Sequence, residues 1–345
     1  MPAVRASKAR GRPPMTGLVV IGGPTASGKS ALALRLAETV DGVLINADSR
    51  QLYRELPLLT ARPSPADEAK VPHRLFGILA ADQPASAGAW LELTGQAIAA
   101  AREAGKVPIV VGGTGLYLSA LLRGLAPVPP VPAAARAEAQ ALFERLGGPG
   151  LHAELGRRDP VMAARLRPSD RQRLIRAFEV LAATGRSLSH WQALPRVRVP
   201  LPRSVVGIAL LPPRAALHAR IERRLRAMLA AGALEELRAL RLAYPDTELP
   251  LLNAVAAPEL LDHLEGRLEL APALARALAR TRQFAKRQVT WLRHQLPELE
   301  PAPTFGDDPA IAAELRRRLL LTDAALPHSF RSSPEPGPRN PAHEG

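Results

Sequence analysis

The sequence predicts an α/β fold, in which a parallel sheet core like that of P-loop NTPases carries a helical insertion domain and C-terminal helices. Three observations lead to this prediction. A glycine-rich loop at 23–30 lies between an apolar run and a helical pattern. Apolar runs then alternate with helical patterns, as crossovers between parallel strands require. A proline-rich segment at 126–132 is followed by a long helical pattern with no strand signal.

The loop reads Gly23-Pro24-Thr25-Ala26-Ser27-Gly28-Lys29-Ser30 and fits the phosphate-binding P-loop pattern. In such a loop the glycines let backbone N–H groups face phosphate oxygens, Lys29 reaches the distal phosphate, and Ser30 can hold Mg²⁺. The alternative is a glycine-rich turn that only matches the pattern, which the flanking strand and helix disfavour. We therefore predict that all eight residues bind a diphosphate, with Ser30 as the metal ligand and Mg²⁺ as the cofactor.

The remaining elements of the core follow from hydrophobic periodicity. Two further apolar runs end in functional residue types, the first in a carboxylate and the second in glycines. Strands are predicted at 18–21, 42–48, 107–113 and 201–211, and helices at 31–38, 89–105, 214–241 and 272–295.

These elements predict a division of the chain into four kinds of segment. The P-loop core occupies 17–125 and 201–300, and the helical insertion domain occupies 126–200. A flexible basic arm is expected at 1–16, because it carries four Lys or Arg among small residues and prolines. Residues 322–345 are rich in Ser, Pro and Gly and are expected to be disordered.

Composition limits the function classes. The chain has 345 residues, a hydrophobic content of 47% and no cysteine, which excludes disulfides, thiolate metal sites and cysteine nucleophiles. Its apolar runs are too short to span a membrane, and the N-terminus lacks the apolar segment of a signal peptide. The expected location is the cytoplasm, and a monomer is the default expectation.

The net charge of +14 indicates a polyanionic partner or a generally arginine-rich composition. The basic residues cluster, with seven arginines between Arg157 and Arg176 and five Lys or Arg between Arg280 and Arg293. Either cluster alone is typical of a solvated surface. Together with a diphosphate site, the two clusters favour a nucleic acid partner.

Four side chains outside the loop are candidates for chemistry. Asp48 ends the second strand beside the P-loop, where it can act as a general base or contact Mg²⁺, or can cap a helix. Thr114 follows the third strand and can bind a substrate group or cap the next helix. Arg220 and Arg224 share a helix face that suits a diphosphate, although solvation is the ordinary role of such arginines.

Five segments, in the same order and rough spacing, resemble the tRNA dimethylallyltransferase family, also called IPP transferases. The segments are Gly23–Ser30, Ala47–Tyr53, Gly112–Tyr117, Asp170–Ala177 and Thr281–Trp291. The resemblance implies transfer of a dimethylallyl group from dimethylallyl diphosphate to the exocyclic amine of the adenosine 3′ to the anticodon, with release of diphosphate. It also implies that the P-loop holds a prenyl diphosphate rather than ATP.

The same resemblance assigns roles to individual residues. Asp48 would accept the amine proton and Thr114 would position the adenosine, while Lys29, Arg220 and Arg224 would stabilise the departing diphosphate. Residues implied to contact tRNA are Asp48, Ser49, Arg50, Gln51, Arg136, Gln172, Arg173, Leu174, Ile175, Arg176, Arg282, Gln283, Lys286, Arg287, Gln288 and Thr290.

One segment departs from the family pattern. Where the family commonly has an arginine and a Gly-Tyr pair, the chain reads Leu252-Asn253-Ala254-Val255-Ala256-Ala257-Pro258.

Two other functions fit the residues less completely. A P-loop small-molecule kinase would use Asp48 on an acceptor hydroxyl, and an RNA-binding NTPase-like module would bind without catalysis. The basic segment around Lys286 favours RNA over a small-molecule kinase substrate.

Overall fold

A computed structural model describes residues 17–245, 249–254 and 256–324. The predicted basic arm, 1–16, and residues 325–345 of the predicted tail lie outside the described residues. By contact, residues 120–199 form one compact unit, and the described residues on either side of them form the other.

The first unit is built on a parallel sheet. Within the described residues this sheet has six strands in the order β3-β2-β4-β1-β5-β6, and every neighbouring pair is parallel. The strands are β1 Leu18–Gly22, β2 Gly42–Asn46, β3 His73–Arg74, β4 Val107–Gly112, β5 Val205–Leu210 and β6 Glu300–Ala302.

Helices connect and cover these strands. In chain order they are α1 Lys29–Val40, α2 Pro57–Thr60, α3 Pro65–Glu68, α4 Ala87–Glu103, α5 Gly115–Arg123, α6 Ala133–Arg158, α7 Pro160–Ala163, α8 Arg171–Thr184, α9 Leu188–Ala193, α10 Arg214–Ala230, α11 Ala233–Ala243, α12 Ala257–Leu264, α13 Leu270–Gln295 and α14 Pro309–Ala324. Among the described residues, none of these helices combines the length and apolar content that crossing a bilayer would need.

The central strands are apolar along their whole length because helices cover both faces of the sheet. Every residue of β1, β2 and β4 is buried. Leu32 and Leu36 of α1 pack with Leu315 and Leu319 of α14 against β1 and its neighbours, and all four are at most 1% exposed. Each such leucine contributes about 1.5–3 kcal/mol through burial.

The strand order places three functional loops side by side. β1 lies next to β4, and β4 lies next to β2, so the carboxyl ends of these three strands meet at one edge of the sheet. The register pairs Gly22 with Gly112 and Asn46 with Val111. The loops that follow carry the P-loop, Thr114 and Asp48, and the parallel sheet confirms the predicted α/β core.

The structure differs from the predicted elements at the edges of the sheet. The short strands β3 and β6 were not predicted, because two or three residues that include Arg, Glu or Pro give no apolar alternation. The predicted helix 214–241 is two helices, because Gly232 adopts a left-handed conformation with φ of 100°. Residues 322–324, placed in the predicted tail, form the end of α14.

The second unit is helical, with α6 and α8 forming its main pair. Leu151 and Leu155 of α6 pack with Leu174 and Phe178 of α8, and each is at most 1% exposed. Helix α6 is interrupted at Gly147, where φ is 66°.

Gly232 supplies a test of the break between α10 and α11. Replacing it with Ala forces a side chain into the left-handed region, where a Cβ meets no atom closer than 3.7 Å. The cost is therefore backbone strain alone, and we expect the Gly232→Ala variant to lose about 1 kcal/mol of unfolding free energy in urea titrations.

Gly88→Ala is the matched control, because Gly88 is exposed in α4 and a Cβ there also meets nothing within 4 Å. Its ordinary helical backbone predicts a gain of up to about 1 kcal/mol. Equal effects of the two substitutions would contradict the conformational explanation.

Candidate active site

The P-loop connects β1 to α1, as the sequence predicted. Gly28 is the N-cap of α1, with φ of 85°, and no side chain caps this helix. The N-terminus of α1 thus keeps backbone donors for an anion, together with the partial positive charge of the helix. Ser27 is fully buried, and its hydroxyl has no hydrogen-bond partner among the described residues. An unpaired buried hydroxyl in this loop fits an anion-binding site.

Lys29 is buried at 8% exposure, and its ammonium lies 3.5 Å from the carbonyl oxygen of Pro24. Burial lowers the pKa of Lys29 from 10.5 to about 8; the nearby Asp48 carboxylate opposes this shift, and Arg224 adds to it. Lys29, Asp48 and Arg224 therefore share one electrostatic environment. A bound polyanion would restore the full charge of Lys29.

Asp48 is held in place by a backbone N–H group and by the side chain of Asn46. Its carboxylate accepts a hydrogen bond from the backbone N–H of Arg50 at 3.0 Å, and its own N–H donates to the side chain of Asn46 at 2.8 Å. Asn46 is fully buried and also donates to the carbonyl oxygens of Asp48 and Leu75. The position of the carboxylate is thus fixed before any substrate binds.

Thr114 links the loop after β4 to the loop after β2. Its carbonyl oxygen accepts from the N–H groups of Tyr117 and Leu118, so Thr114 directly precedes α5 and accepts hydrogen bonds from its first turn. Its hydroxyl accepts from the backbone N–H of Ser49 at 2.9 Å. The hydroxyl therefore positions Ser49, the residue next to Asp48. The two roles considered from sequence, substrate binding and helix capping, did not include this contact.

Gln288 of α13 joins two of these loops. Its side-chain oxygen accepts from the backbone N–H of Thr25 at 2.9 Å, and its side-chain nitrogen donates to the carbonyl oxygen of Gly113 at 2.8 Å. Gln288 is 7% exposed. It fixes the spacing between the P-loop and the loop after β4 from a helix far along the chain.

A crevice opens beside these groups, and both polar and apolar residues line it. The polar residues include charges of both signs. The polar residues are Thr25, Asp48, Arg50, Thr60, Arg224 and Thr281, and the apolar residues are Ala26, Leu59, Ile221, Leu225, Met228, Ala254, Ala256 and Phe284. Such a lining can contact both an anionic group and a hydrocarbon group of one small molecule.

The two arginines of α10 have different surroundings. Arg224 lines the crevice, and burial lowers its pKa while Asp48 opposes that shift. Arg220 is paired with Asp307 at 2.6 Å, and its guanidinium lies 4.4 Å from the ring centre of Phe305. The structure therefore brings Arg224 into the crevice lining near Asp48, while Arg220 is held by the loop between β6 and α14.

The residues with an implied tRNA role in the first unit fall into two groups. The exposed group on α13 is Gln283, Lys286, Arg287 and Thr290. Other members are engaged within the unit. Arg282 contacts Glu222 at 3.4 Å, and Arg50 donates to the carbonyl oxygen of Pro250 at 2.8 Å. Gln51 is buried and donates to the carbonyl oxygens of Thr60 and Ala61.

The second unit carries the other implied tRNA residues. Gln172 and Arg173 are exposed on α8, and Ile175 is half-buried. Arg136 of α6 and Arg176 of α8 both pair with Glu179, a carboxylate that is 1% exposed. Glu179 therefore holds one arginine from each helix.

Burial corrects the sequence assignment at Leu174 and Gln288, as it does at Gln51. Leu174 is fully buried in the core of the second unit, so its side chain has no surface for RNA. Gln288 uses both its amide oxygen and its amide nitrogen inside the first unit. Both lie in segments whose neighbours are exposed, and helical periodicity is the reason, since adjacent positions on a helix face different sides.

Sequence reasoning missed several residues of the site. Thr281 and Phe284 line the crevice from the same face of α13 that carries Gln288, and a spacing of three and seven residues on a predicted helix was an available signal. Asn46 was visible as a polar residue at the end of an apolar strand. Phe305 and Asp307 gave no signal, because they lie in a loop beyond the last predicted core element.

A metal at this site would depend on the ligand as well as the protein. Among the described residues, no group of three His, Asp or Glu side chains could hold a metal ion. Ser30 is exposed at the start of α1, and Asp48 lines the crevice and interacts electrostatically with Lys29. A hydroxyl and a carboxylate are oxygen donors of the kind Mg²⁺ prefers when phosphates complete its coordination.

Comparison with known proteins gives a consistent family. The family described as IPP transferase matches residues 51–295. A tRNA dimethylallyltransferase of Rhodospirillum centenum is 54% identical over 279 residues, which cover 81% of this chain and 89% of the relative. One from Nitrobacter hamburgensis is 52% identical over 280 residues, with 81% and 88% covered.

Solved structures agree with these relatives. The full-length tRNA isopentenylpyrophosphate transferase of Bacillus halodurans is similar with a TM-score of 0.63 and 28% identity, covering 90% of this chain and 98% of that one. A eukaryotic dimethylallyltransferase, solved acting on tRNA, has a TM-score of 0.73 and 25% identity, with 90% and 79% covered.

The pKa of Lys29 predicts a pH dependence. The affinity for inorganic diphosphate should fall as the pH rises above about 8, since the free protein then loses the charge on Lys29. Isothermal titration calorimetry of wild type and Lys29→Met at pH 7 to 10 measures this, and the difference between the proteins removes the ligand's own titration. A constant difference across that range would contradict the lowered pKa.

The lowered pKa of Lys29 also makes the unfolding free energy depend on pH. Between pH 8 and 10.5 the unfolded chain binds a proton at Lys29 that the folded protein lacks. The contribution of Lys29 to the unfolding free energy therefore rises with pH in that window. Below pH 8 the buried charge destabilises the fold.

Gln288→Ala tests the link between the loops. The variant leaves the N–H of Thr25 and the carbonyl of Gly113 without partners, which should lower the unfolding free energy by about 1–3 kcal/mol and weaken diphosphate binding. Urea unfolding and calorimetry measure both effects. Gln283→Ala, an exposed change on the same helix, is the control and should stay within about 0.5 kcal/mol of wild type. Equal stability losses in the two variants would argue against the link.

Proposed function

The chain belongs to the IPP transferase family, and from this membership we infer that it is a tRNA dimethylallyltransferase whose crevice binds dimethylallyl diphosphate. In the reaction we propose, a dimethylallyl group passes from that diphosphate to N6 of the adenosine 3′ to the anticodon. The resemblance of the Asp170–Ala177 and Thr281–Trp291 segments to the family supports this choice of acceptor.

The observation that supports the choice of donor is the mixed lining of the crevice. Its polar residues include Thr25 of the P-loop and Arg224, and Lys29 interacts with Asp48 and Arg224 of the same lining. Its apolar residues include Leu59, Leu225 and Met228. A prenyl diphosphate has the same two chemical parts, since its diphosphate is multiply charged and its hydrocarbon carries no polar group.

The chemistry requires a weak nucleophile to displace diphosphate. The allylic C–O bond breaks and its electron pair leaves with the diphosphate, while the N6 lone pair forms the new C–N bond. Lys29, Arg224 and the N–H groups at the start of α1 stabilise the negative charge that develops on the leaving group. These donors are fixed by the fold, so little reorganisation is needed as the charge develops.

Asp48 is the proposed acceptor of the amine proton. It lies in the crevice beside the cations that would hold the leaving group, and its position is fixed by Asn46 and by the backbone N–H of Arg50. Removing the proton as the C–N bond forms avoids a cationic amine in the product. Thr114 supports this role through its hydrogen bond to Ser49, the next residue.

Mg²⁺ is the proposed cofactor, with Ser30 as its protein ligand and diphosphate oxygens as the remaining partners. When bound, the ion would supply positive charge to the leaving group. The protein side chains already described would orient the diphosphate and hold the proton acceptor.

The RNA contacts we propose lie on α13 and in the second unit. On α13 these are Gln283, Lys286, Arg287 and Thr290, and in the second unit they are Gln172 and Arg173 together with the arginines paired to Glu179. A loop nucleotide gives up little stacking when it leaves its neighbours, so its base can enter a crevice. We also propose that the protein is a monomer located in the cytoplasm.

Nucleoside mass spectrometry tests the proposed reaction. An anticodon stem-loop incubated with the full chain, Mg²⁺ and dimethylallyl diphosphate should gain one dimethylallyl group on the adenosine 3′ to the anticodon. Replacement of the donor by ATP should give no modified nucleoside. The Asp48→Asn variant should lose about 10²–10⁴ in rate while keeping affinity for the stem-loop, which is the usual effect of removing a positioned base.

Asp41→Asn is the matched control. Asp41 precedes the same strand at its opposite end, is exposed, and pairs with Lys106 away from the crevice. Its rate should equal that of wild type. Near-normal prenylation by Asp48→Asn would remove Asp48 from the role, and an unmodified stem-loop with wild type would refute the proposed reaction.

A further inference from the structure

The loop at 303–308, between β6 and α14, holds one of the two arginines on α10. The carboxylate of Asp307 lies 2.6 Å from Nη1 of Arg220, and the ring of Phe305 lies under the same guanidinium at 4.4 Å. The hydrogen bond from Arg220 keeps the pKa of Asp307 below its ordinary value. Arg220 is thus held by a charge and an aromatic face, which together fix its direction.

The same loop is attached to the P-loop by its backbone. The N–H of Gly306 donates to the carbonyl oxygen of Ser27 at 2.9 Å. Gly28 approaches the loop so closely that a Cβ there would lie 2.9 Å from the nitrogen of Gly306 and 3.0 Å from the carboxylate of Asp307. The carbonyl oxygen of Asp307 also accepts from Arg35 of α1 at 3.2 Å. The loop therefore has a fixed position relative to the start of α1.

The apolar contacts of Phe305 tie this loop to α10 as well. Phe305 packs against a buried cluster formed by Ala26 of the P-loop, Leu217 and Ile221 of α10 and Ala285 of α13. One short loop thus contacts the P-loop, the arginine helix and the core between them. It lies beyond residues 51–295, which the family model matches.

Arg220 needs such a support because a free arginine samples many rotamers. Its side chain is 29% exposed, and binding a diphosphate would cost the ordering of that side chain. Asp307 and Phe305 order it in advance beside the P-loop, since both belong to a loop attached to Ser27. A guanidinium has five N–H donors, so one bond to Asp307 leaves donors for phosphate oxygens.

We propose that Asp307 is a positioning residue, which acts through Arg220 to orient that guanidinium toward the diphosphate at the P-loop. This inference rests on the proposed diphosphate site and adds a residue that the family resemblance does not assign. Asp307 does not touch the reacting atoms. Its effect is to lower the cost of ordering Arg220 when the leaving group is bound.

A competing role for Asp307 predicts the opposite change in diphosphate affinity. If Asp307 served as an internal anion that occupies Arg220 until a diphosphate displaces it, removal of the carboxylate would tighten diphosphate binding. A positioning residue weakens binding when it is removed. The direction of one affinity change therefore distinguishes the two.

The test measures inorganic diphosphate binding by calorimetry in four proteins: wild type, Asp307→Ala, Arg220→Ala and the double variant. We expect Asp307→Ala to weaken diphosphate binding about three- to tenfold, as for the loss of a partly exposed ion pair that orients a ligand contact. Arg220→Ala should weaken binding by more. In the Arg220→Ala background, Asp307→Ala should have no further effect, because the residue acts only through the arginine.

Glu300→Ala is the matched control, because Glu300 is an exposed carboxylate in β6 that pairs with Arg318 and has no contact with Arg220. Its diphosphate affinity should equal that of wild type. Melting temperatures of both carboxylate variants show that a change in affinity does not come from loss of fold.

Three results would overturn the proposal: unchanged affinity in Asp307→Ala, tighter binding in that variant, or an equal loss in the Arg220→Ala background. Prenyl transfer to the anticodon stem-loop by wild type is measured separately. If wild type binds inorganic diphosphate but transfers no dimethylallyl group, the proposed reaction fails while the role of Asp307 is still decided by calorimetry.

Discussion

The two hydrogen bonds of Gln288 set the geometry on which the active site depends. A P-loop has few side chains with which to fix itself, since most of its residues are small. Gln288 accepts the N–H of Thr25 and donates to the carbonyl of Gly113, so the cradle for a diphosphate and the loop that begins at Thr114 keep one spacing. The N–H of Thr25 and the carbonyl of Gly113 would be costly to bury without partners, so these two hydrogen bonds stabilise the fold as well as set the spacing of the loops.

The electrostatics of the crevice are centred on Asp48. Lys29, Arg50 and Arg224 all interact with the single carboxylate of Asp48, and burial lowers the pKa of each cation. An excess of buried positive charge is unfavourable until a polyanion enters, because desolvation is then offset by strong attraction. The same cations that are costly to bury in the empty site therefore favour binding of a multiply charged leaving group. Asp48 lies beside them, near the place from which that group would depart.

Helix α13 serves the interior and the surface at once. Thr281, Ala285, Gln288 and Leu292 are buried, while Gln283, Lys286 and Arg287 are exposed between them. One amphipathic helix can thus brace the diphosphate cradle and present a basic face for RNA. In the second unit the buried Glu179 has a similar effect, since it orders Arg136 and Arg176, which belong to two different helices.

The sequence by itself determined the α/β core, the P-loop and the family, because these depend on local pattern. A strand, a glycine loop and a helix follow one another within a short stretch, and Asp48 and Thr114 lie directly after apolar strands. Tertiary structure decided which side chains serve the site and which serve the interior. Leu174, Gln51 and Gln288 lie in segments that resemble RNA-binding motifs, yet each is buried, since only packing reveals which face of an element is covered. Asp307 reaches Arg220 from 87 residues away, and no local pattern predicts such a contact, because it depends on where the last strand returns to the sheet.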